Sequence, residues 1–101
     1  MRDTFRQPDA FAVRLRTGDA SALEELFERD GGQAFRLAYR VLRDAAAAED
    51  AVQEAFAQLW ERAPSLDASG NMRSLLMTIV HRRALDQVRS RQRWATSAVE
   101  E

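Results

Sequence analysis

The apolar residues of this 101-residue chain recur three and four positions apart over most of its length. That period belongs to a helix burying one face. Leu23, Leu26, Phe27, Ala34, Phe35, Ala38, Tyr39, Val41 and Leu42 keep it through one long segment. Ala48, Val52, Ala55, Phe56 and Leu59 keep it through a second, and Leu75, Leu76, Ile79, Val80, Leu85 and Val88 through a third. With 4 Gly, 2 Pro and 8% aromatics the chain lacks the turns and aromatic strands of a β-sandwich.

Helix signals divide the chain into four helices. A short one is predicted over Asp9 to Thr17, with Pro8 before it, Gly18 after it, and Phe11, Val13 and Leu15 as its apolar face. The second starts at Asp19 as N-cap. Gly31-Gly32 in its middle costs about 1 kcal/mol per glycine. The apolar spacing resumes beyond the pair without a turn-length gap, so the helix is expected to pass through with a distortion. The third follows Asp44 and runs to about Arg62. Residues 63–71 gather Pro64, Ser65, Ser69, Gly70 and Asn71 and read as a loop. The fourth is predicted from Met72 to Trp94, and Ala95 to Glu101 carry no pattern, like a frayed tail or the start of a linker. The expectation is all-α: one compact bundle of about four helices, three long and one short.

Several chemistries are excluded. Without cysteine there is no disulfide scaffold, thiolate zinc site or thiol nucleophile, which suits a reducing compartment. His81 stands alone and has no partner in helical register for a metal. Asp50 and Glu54 are carboxylates four apart, yet no His or Cys supports them, and no Gly-rich phosphate loop or nucleophile elbow occurs. A non-enzymatic protein is expected, with no catalytic residues, cofactor, metal or small-molecule substrate. No run of 18 apolar residues exists, and Met1-Arg2-Asp3-Thr4 lacks the apolar stretch of a signal peptide. A cytoplasmic protein without membrane insertion is the default.

The net charge of −1 argues against nucleic acid until its distribution is seen. Residues 44–67 hold six acids and one arginine, a net of −5; residues 71–94 hold six arginines and one acid, a net of +5. All 15 basic residues are arginine, which codon bias alone can produce. Two packed helices could pair such charges, but exposed ion pairs are weak and do not require sorting by helix. Sorting fits two surfaces, an acidic one for a basic protein and a basic one for phosphates. Asp50, Glu54 and Glu61 lie near one line, flanked by Gln53, and can accept arginines from a partner. Arg82, Arg89 and Arg93 share a face, with Asp86 placed to hold Arg82 and Arg89. Trp60 and Trp94 end their helices; packing at the bundle end is the ordinary role of such aromatics, and stacking on a base is the functional one.

These residues also carry a resemblance. Asp44-Ala45-Ala46-Ala47-Ala48-Glu49-Asp50-Ala51-Val52-Gln53-Glu54-Ala55-Phe56, followed by Leu59-Trp60, resembles conserved region 2 of bacterial sigma-70 family factors. The form is that of the extracytoplasmic-function (ECF) group, whose pattern is A-E-D-x-V-Q-E-x-F. Leu75 through Arg89 is similar to the group's W-L-x-x-I-A-x-N-x-A-x-D-x-x-R, and Gly18-Asp19 through Phe27 to the opening of the domain. Two departures are Leu75 for the Trp and Arg82 for the frequent Asn; His81-Arg82-Arg83 is also found in a subset of actinobacterial-type factors.

The resemblance implies a region 2 domain over residues 1–94, with 95–101 opening a linker towards a helix-turn-helix region that reads the −35 element. The chain would then be an isolated domain or a truncated protein. It implies that Glu49, Asp50, Gln53 and Glu54 dock on the clamp helices of the RNA polymerase β′ subunit. It implies that the loop Pro64 to Asn71 takes a flipped base of the non-template strand of the promoter −10 element. Ser69, Asn71, Arg73, His81, Arg82, Arg83 and Arg89 would contact that DNA. An anti-sigma protein covering the polymerase-binding face is a further implied partner. The other reading is a degenerate sigma-like helical module that sequesters a protein partner without binding DNA.

Overall fold

The computed structural model describes residues 9–100, the last six by backbone alone. Pro8, read above as leading into the first helix, and Glu101 lie outside the described residues. Four α-helices follow in order: α1 (Ala10–Arg16), α2 (Ala20–Leu42), α3 (Ala45–Arg62) and α4 (Met72–Glu100), with a 3-10 turn at Ala63–Ser65. Among the described residues there is no strand, so the all-α expectation holds.

The predicted N-caps are in place. The Asp19 carboxylate accepts from the Ser21 N–H and that of Asp44 from the Ala47 N–H, satisfying amides that a helix start leaves without partners. Asn71 Oδ1 accepts from the Ser74 N–H at 3.0 Å and so caps α4. Asp9, read in the sequence as the first residue of the short helix, stands just before α1 as its N-cap: Oδ1 accepts from the Phe11 and Ala12 N–H groups, and Oδ2 accepts from the Met72 N–H at 2.9 Å. One carboxylate thus caps α1 and α4 together. The Asp9 N–H also donates to the Ala68 carbonyl at 2.7 Å, holding the loop before α4 against α1.

Helix ends follow backbone sterics. Gly18 takes φ +84° after α1, a conformation that costs glycine nothing. α2 stops at Arg43, whose φ of 55° is left-handed and whose N–H returns to the Tyr39 carbonyl. α2 remains α-helical through Gly31-Gly32, so the expected distortion is not seen. Gly31 is buried, and a Cβ there would stand 3.3 Å from the Phe27 ring. The glycine leaves room for that ring.

α2, α3 and α4 pack on one another over Leu26, Leu59, Met72, Leu76, Ile79 and Val80, with Leu15 of α1 joining them. Ala34, Ala38, Ala48, Ala51, Ala55 and Ala84 are also buried, and their small side chains let the helix backbones approach closely. Two sequence expectations change on α4. Leu85 is half-buried and outside the core cluster; Met72, Leu76, Val80 and Ala84 hold the inward line, and Leu85 lies about 100° round from Ala84. The helix also continues past Trp94 to Glu100, because nothing between Met72 and Glu100 is a Gly or Pro that would end it.

Side-chain ties fix α2 and α4 side by side and parallel. Arg73 near the start of α4 meets Asp30 of α2 at 3.0 Å. Further on, the Arg91 guanidinium reaches the Leu42 carbonyl and the Asp44 carboxylate, each at 3.5 Å.

Candidate functional site

α3 turns Ala47, Ala48, Ala51, Val52, Ala55 and Leu59 inward and its acids outward. Glu49, Asp50, Gln53 and Glu54 are all exposed, as is Glu61. None of these acids forms an ion pair among the described residues. Glu49, Gln53, Phe56 and Trp60 fall at i, i+4, i+7 and i+11, so the acidic stripe borders a row that becomes aromatic. Trp60 is 37% exposed, which sets aside full burial at the bundle end.

Beside that row lies an apolar groove missed by sequence reasoning. Phe27 is 52% exposed although it keeps the core period. Its ring meets Phe56 edge-on, centroids 5.2 Å apart. Leu23 completes the floor, and Glu24 and Glu28 stand at the rim. No sequence signal separates Phe27 from its buried neighbours; exposure arises because the helices leave that edge open.

On α4, Arg82, Arg89 and Arg93 are exposed, and Arg82 and Arg93 are in no ion pair among the described residues. Asp86 holds Arg89 at 3.3 Å but not Arg82, correcting half of the expected bracket. Arg83 is half-buried, and its Nε donates to Gln58 Oε1 at 2.9 Å, tying α4 to α3. His81 is exposed. Trp94 is 76% exposed and is neither packed nor shielded. Across the sorted segments a single ion pair forms among the described residues, Arg91 with Asp44. The −5 and +5 stretches therefore remain two faces.

The loop residues are held locally. Asp67 Oδ1 accepts from the Ser69 N–H and hydroxyl, at 2.9 and 2.7 Å. The Ser69 hydroxyl leads the contacts that hold the Asp67 carboxyl below the usual carboxylate range. Leu66 is buried and anchors the segment, and Asn71 serves α4 as its cap.

Arg73 is half-exposed and leans on a cluster that the sequence did not reveal. Asp30 is fully buried, and its carboxylate accepts two bonds from Arg29, at 3.0 and 2.8 Å, and one from Arg73 Nε. Arg29, and then Arg73, hold Asp30 below the ordinary carboxylate range against the opposing effect of burial. Arg29 also lies 4.6 Å over the Phe11 ring, so α1, α2 and α4 meet at this point. Among the described residues no group of three His, Cys, Asp or Glu side chains could hold a metal ion, and no helix is long and apolar enough to cross a membrane.

The family described as Sigma-70 region 2 matches residues 26–94, which include every candidate contact residue above. A Mycolicibacterium vanbaalenii protein named ECF RNA polymerase sigma factor SigK is 36% identical over 89 residues, covering 87% of this chain and 45% of that protein. The protein of the same name from Mycobacterium tuberculosis H37Rv is 35% identical over 85 residues, covering 83% and 46%. The chain thus spans a little under half the length of the curated relatives it matches. No solved structure matches it.

Proposed function

The chain belongs to the sigma-70 region 2 family in its ECF form, and from that premise we propose that it acts in transcription initiation as the sigma factor domain that docks on core RNA polymerase and opens the promoter −10 element. The observation carrying this reading is the acidic stripe of α3, exposed and unpaired among the described residues, standing apart from the arginines of α4. Docking is through Glu49, Asp50, Gln53 and Glu54 on the β′ clamp helices, where carboxylates accept guanidinium donors.

On the other face, Arg82 and Arg89 contact phosphates of the non-template strand, with Arg73, His81 and Arg83 beside them. The loop with Ser69 and Asn71 takes the flipped base. The mechanism is single-strand capture. Opening duplex costs about 1.4 kcal/mol per stacked step. A surface that binds only the unpaired strand offsets that cost by mass action. Phosphate contacts supply affinity and the flipped base supplies selectivity. No bond is made or broken, so no catalytic group is required.

Residues 1–94 form the working domain and 95–101 begin the linker to a further DNA-reading region. An anti-sigma protein covering the α3 face is the expected regulator, and the cytoplasm the expected location. Asp50→Arg combined with Glu54→Arg is expected to abolish capture by immobilised β′ clamp helices; retained capture would remove the docking claim. With core polymerase present, a −10-like single strand should compete better than its scrambled sequence. Equal competition, or promoter-directed transcription unaffected by loss of the domain, would favour the protein-sequestering module.

A further inference from the structure

The second half of α2 carries an unassigned surface. Between Gly31 and Arg43 there are three arginines and no acid. Gln33, Arg36 and Arg40 fall at i, i+3 and i+7, which aligns them along one side of the helix, and Arg43 follows at its left-handed end. All four are exposed, and the arginines are in no ion pair among the described residues. Next to this stripe Phe35 and Tyr39 stack, centroids 6.0 Å apart and planes at 22°. Tyr39 is 40% exposed, and the two aromatics with Gln33, Arg36 and Arg40 line one shallow depression.

Support for the helix accounts for an aromatic pair four residues apart. It does not account for an outward tyrosine between two unpaired arginines. Guanidiniums recognise phosphates, and an exposed aromatic face offers a platform to a base whose own face is free. A duplex base has none to offer, so the pairing of features selects a single strand. Position agrees: α2 and α4 run parallel, tied at Asp30–Arg73 and Leu42–Arg91. Arg36 to Arg40 therefore lie alongside the stretch of α4 between those ties, which includes Arg82.

We propose that Arg36, Tyr39 and Arg40 form a second single-strand nucleic-acid site, sequence-tolerant, with Tyr39 stacking on a base and the two arginines on flanking phosphates. It rests on the nucleic-acid half of the reading above and is carried by residues that reading does not use.

The probe is a fluorescein-labelled oligodeoxythymidylate of about 16 nucleotides, titrated with the 101-residue chain over a range of salt. Arg36→Ser with Arg40→Ser should reduce the slope of log K against log salt by about 1.4, two phosphates at about 0.7 each. Tyr39→Leu keeps the bulk, and should weaken binding by about 5- to 140-fold at unchanged slope. Helical circular dichroism and melting confirm that both variants fold. Parental affinity and slope in both would overturn the proposal. Equal competition by polyglutamate, with Tyr39→Leu silent, would overturn it in favour of an acidic protein partner. Arg82→Ser with Arg89→Ser separates the two readings: an effect there and none at α2 overturns this site alone, whereas an effect at α2 and none there supports this site and overturns the α4 phosphate contacts.

Discussion

Asp30 is the sole charged side chain fully removed from water among the described residues, and what faces it decides its effect. Two guanidiniums saturate it, and both keep a route to solvent, with side chains 41% and 50% exposed. Deleting one partner of a fully buried pair costs about 3–5 kcal/mol. Here the orphaned arginines can rehydrate, so Asp30→Ala is expected to cost about 1–3 kcal/mol in urea unfolding, with Asp30→Asn recovering part. A second acid controls the α1–α2 junction. Hydrogen bonds from Ser21 and then Arg14 lower Asp19 to about 2. A lowered folded pKa means that the stabilisation is complete above the unfolded value of about 3.8 and is lost as pH falls through about 2. Amide protection across residues 14–22, taken against the intrinsic exchange rate at each pH, is expected to fall over that window, and Arg14→Gln should flatten the dependence. Neither Asp30 nor Asp19's partners were legible in the sequence. A lone acid amid polar neighbours carries no mark of burial; only the approach of α4, 43 residues on, supplies Arg73.

At the scale of elements, local rules served well wherever local forces decide. The Asp19 and Asp44 caps and the α2–α3 boundary follow from short polar side chains whose oxygens compete for the first amides. The end of α4 was misread because an absent apolar pattern does not stop a helix; only a breaker or a cap does. Leu85 was misassigned because adjacent residues can both satisfy a three-and-four spacing, and packing chose Ala84. Gly31 and Gly32 look equivalent in sequence and are not. A Cβ at Gly32 meets only the mobile end of Arg36, at 3.7 Å, so Gly32→Ala is expected to raise stability by about 0.5–1 kcal/mol through helix propensity. A Cβ at Gly31 presses on the Phe27 ring, and Gly31→Ala should gain clearly less. Thermal melts of the two variants check the order. Opposite ranking would mean that Phe27 yields freely, and its edge contact with Phe56 would then hold the groove loosely.

At the scale of the whole molecule, the acidic and basic halves were legible because charge sorting survives folding when helices bury alanines rather than ion pairs. The groove at Phe27 and the α2 arginines beside Tyr39 were not, since their exposure depends on which helix edges remain uncovered. A last consequence concerns time rather than stability. Asp9 receives the Met72 amide across 63 residues of chain, yet it also receives amides two and three residues away. Its local bonds can form as soon as α1 does, whereas the distant one requires the bundle to close. The carboxylate is thus a clasp fastened late in assembly. Replacing it removes two caps, at about 1 kcal/mol each. Most of that loss should appear in how fast the molecule comes apart: in a chevron experiment Asp9→Ala is expected to steepen escape from the native state several-fold while leaving the rate of folding nearly unchanged. Equal loss on both arms would instead place the closure of α1 onto α4 within the folding nucleus.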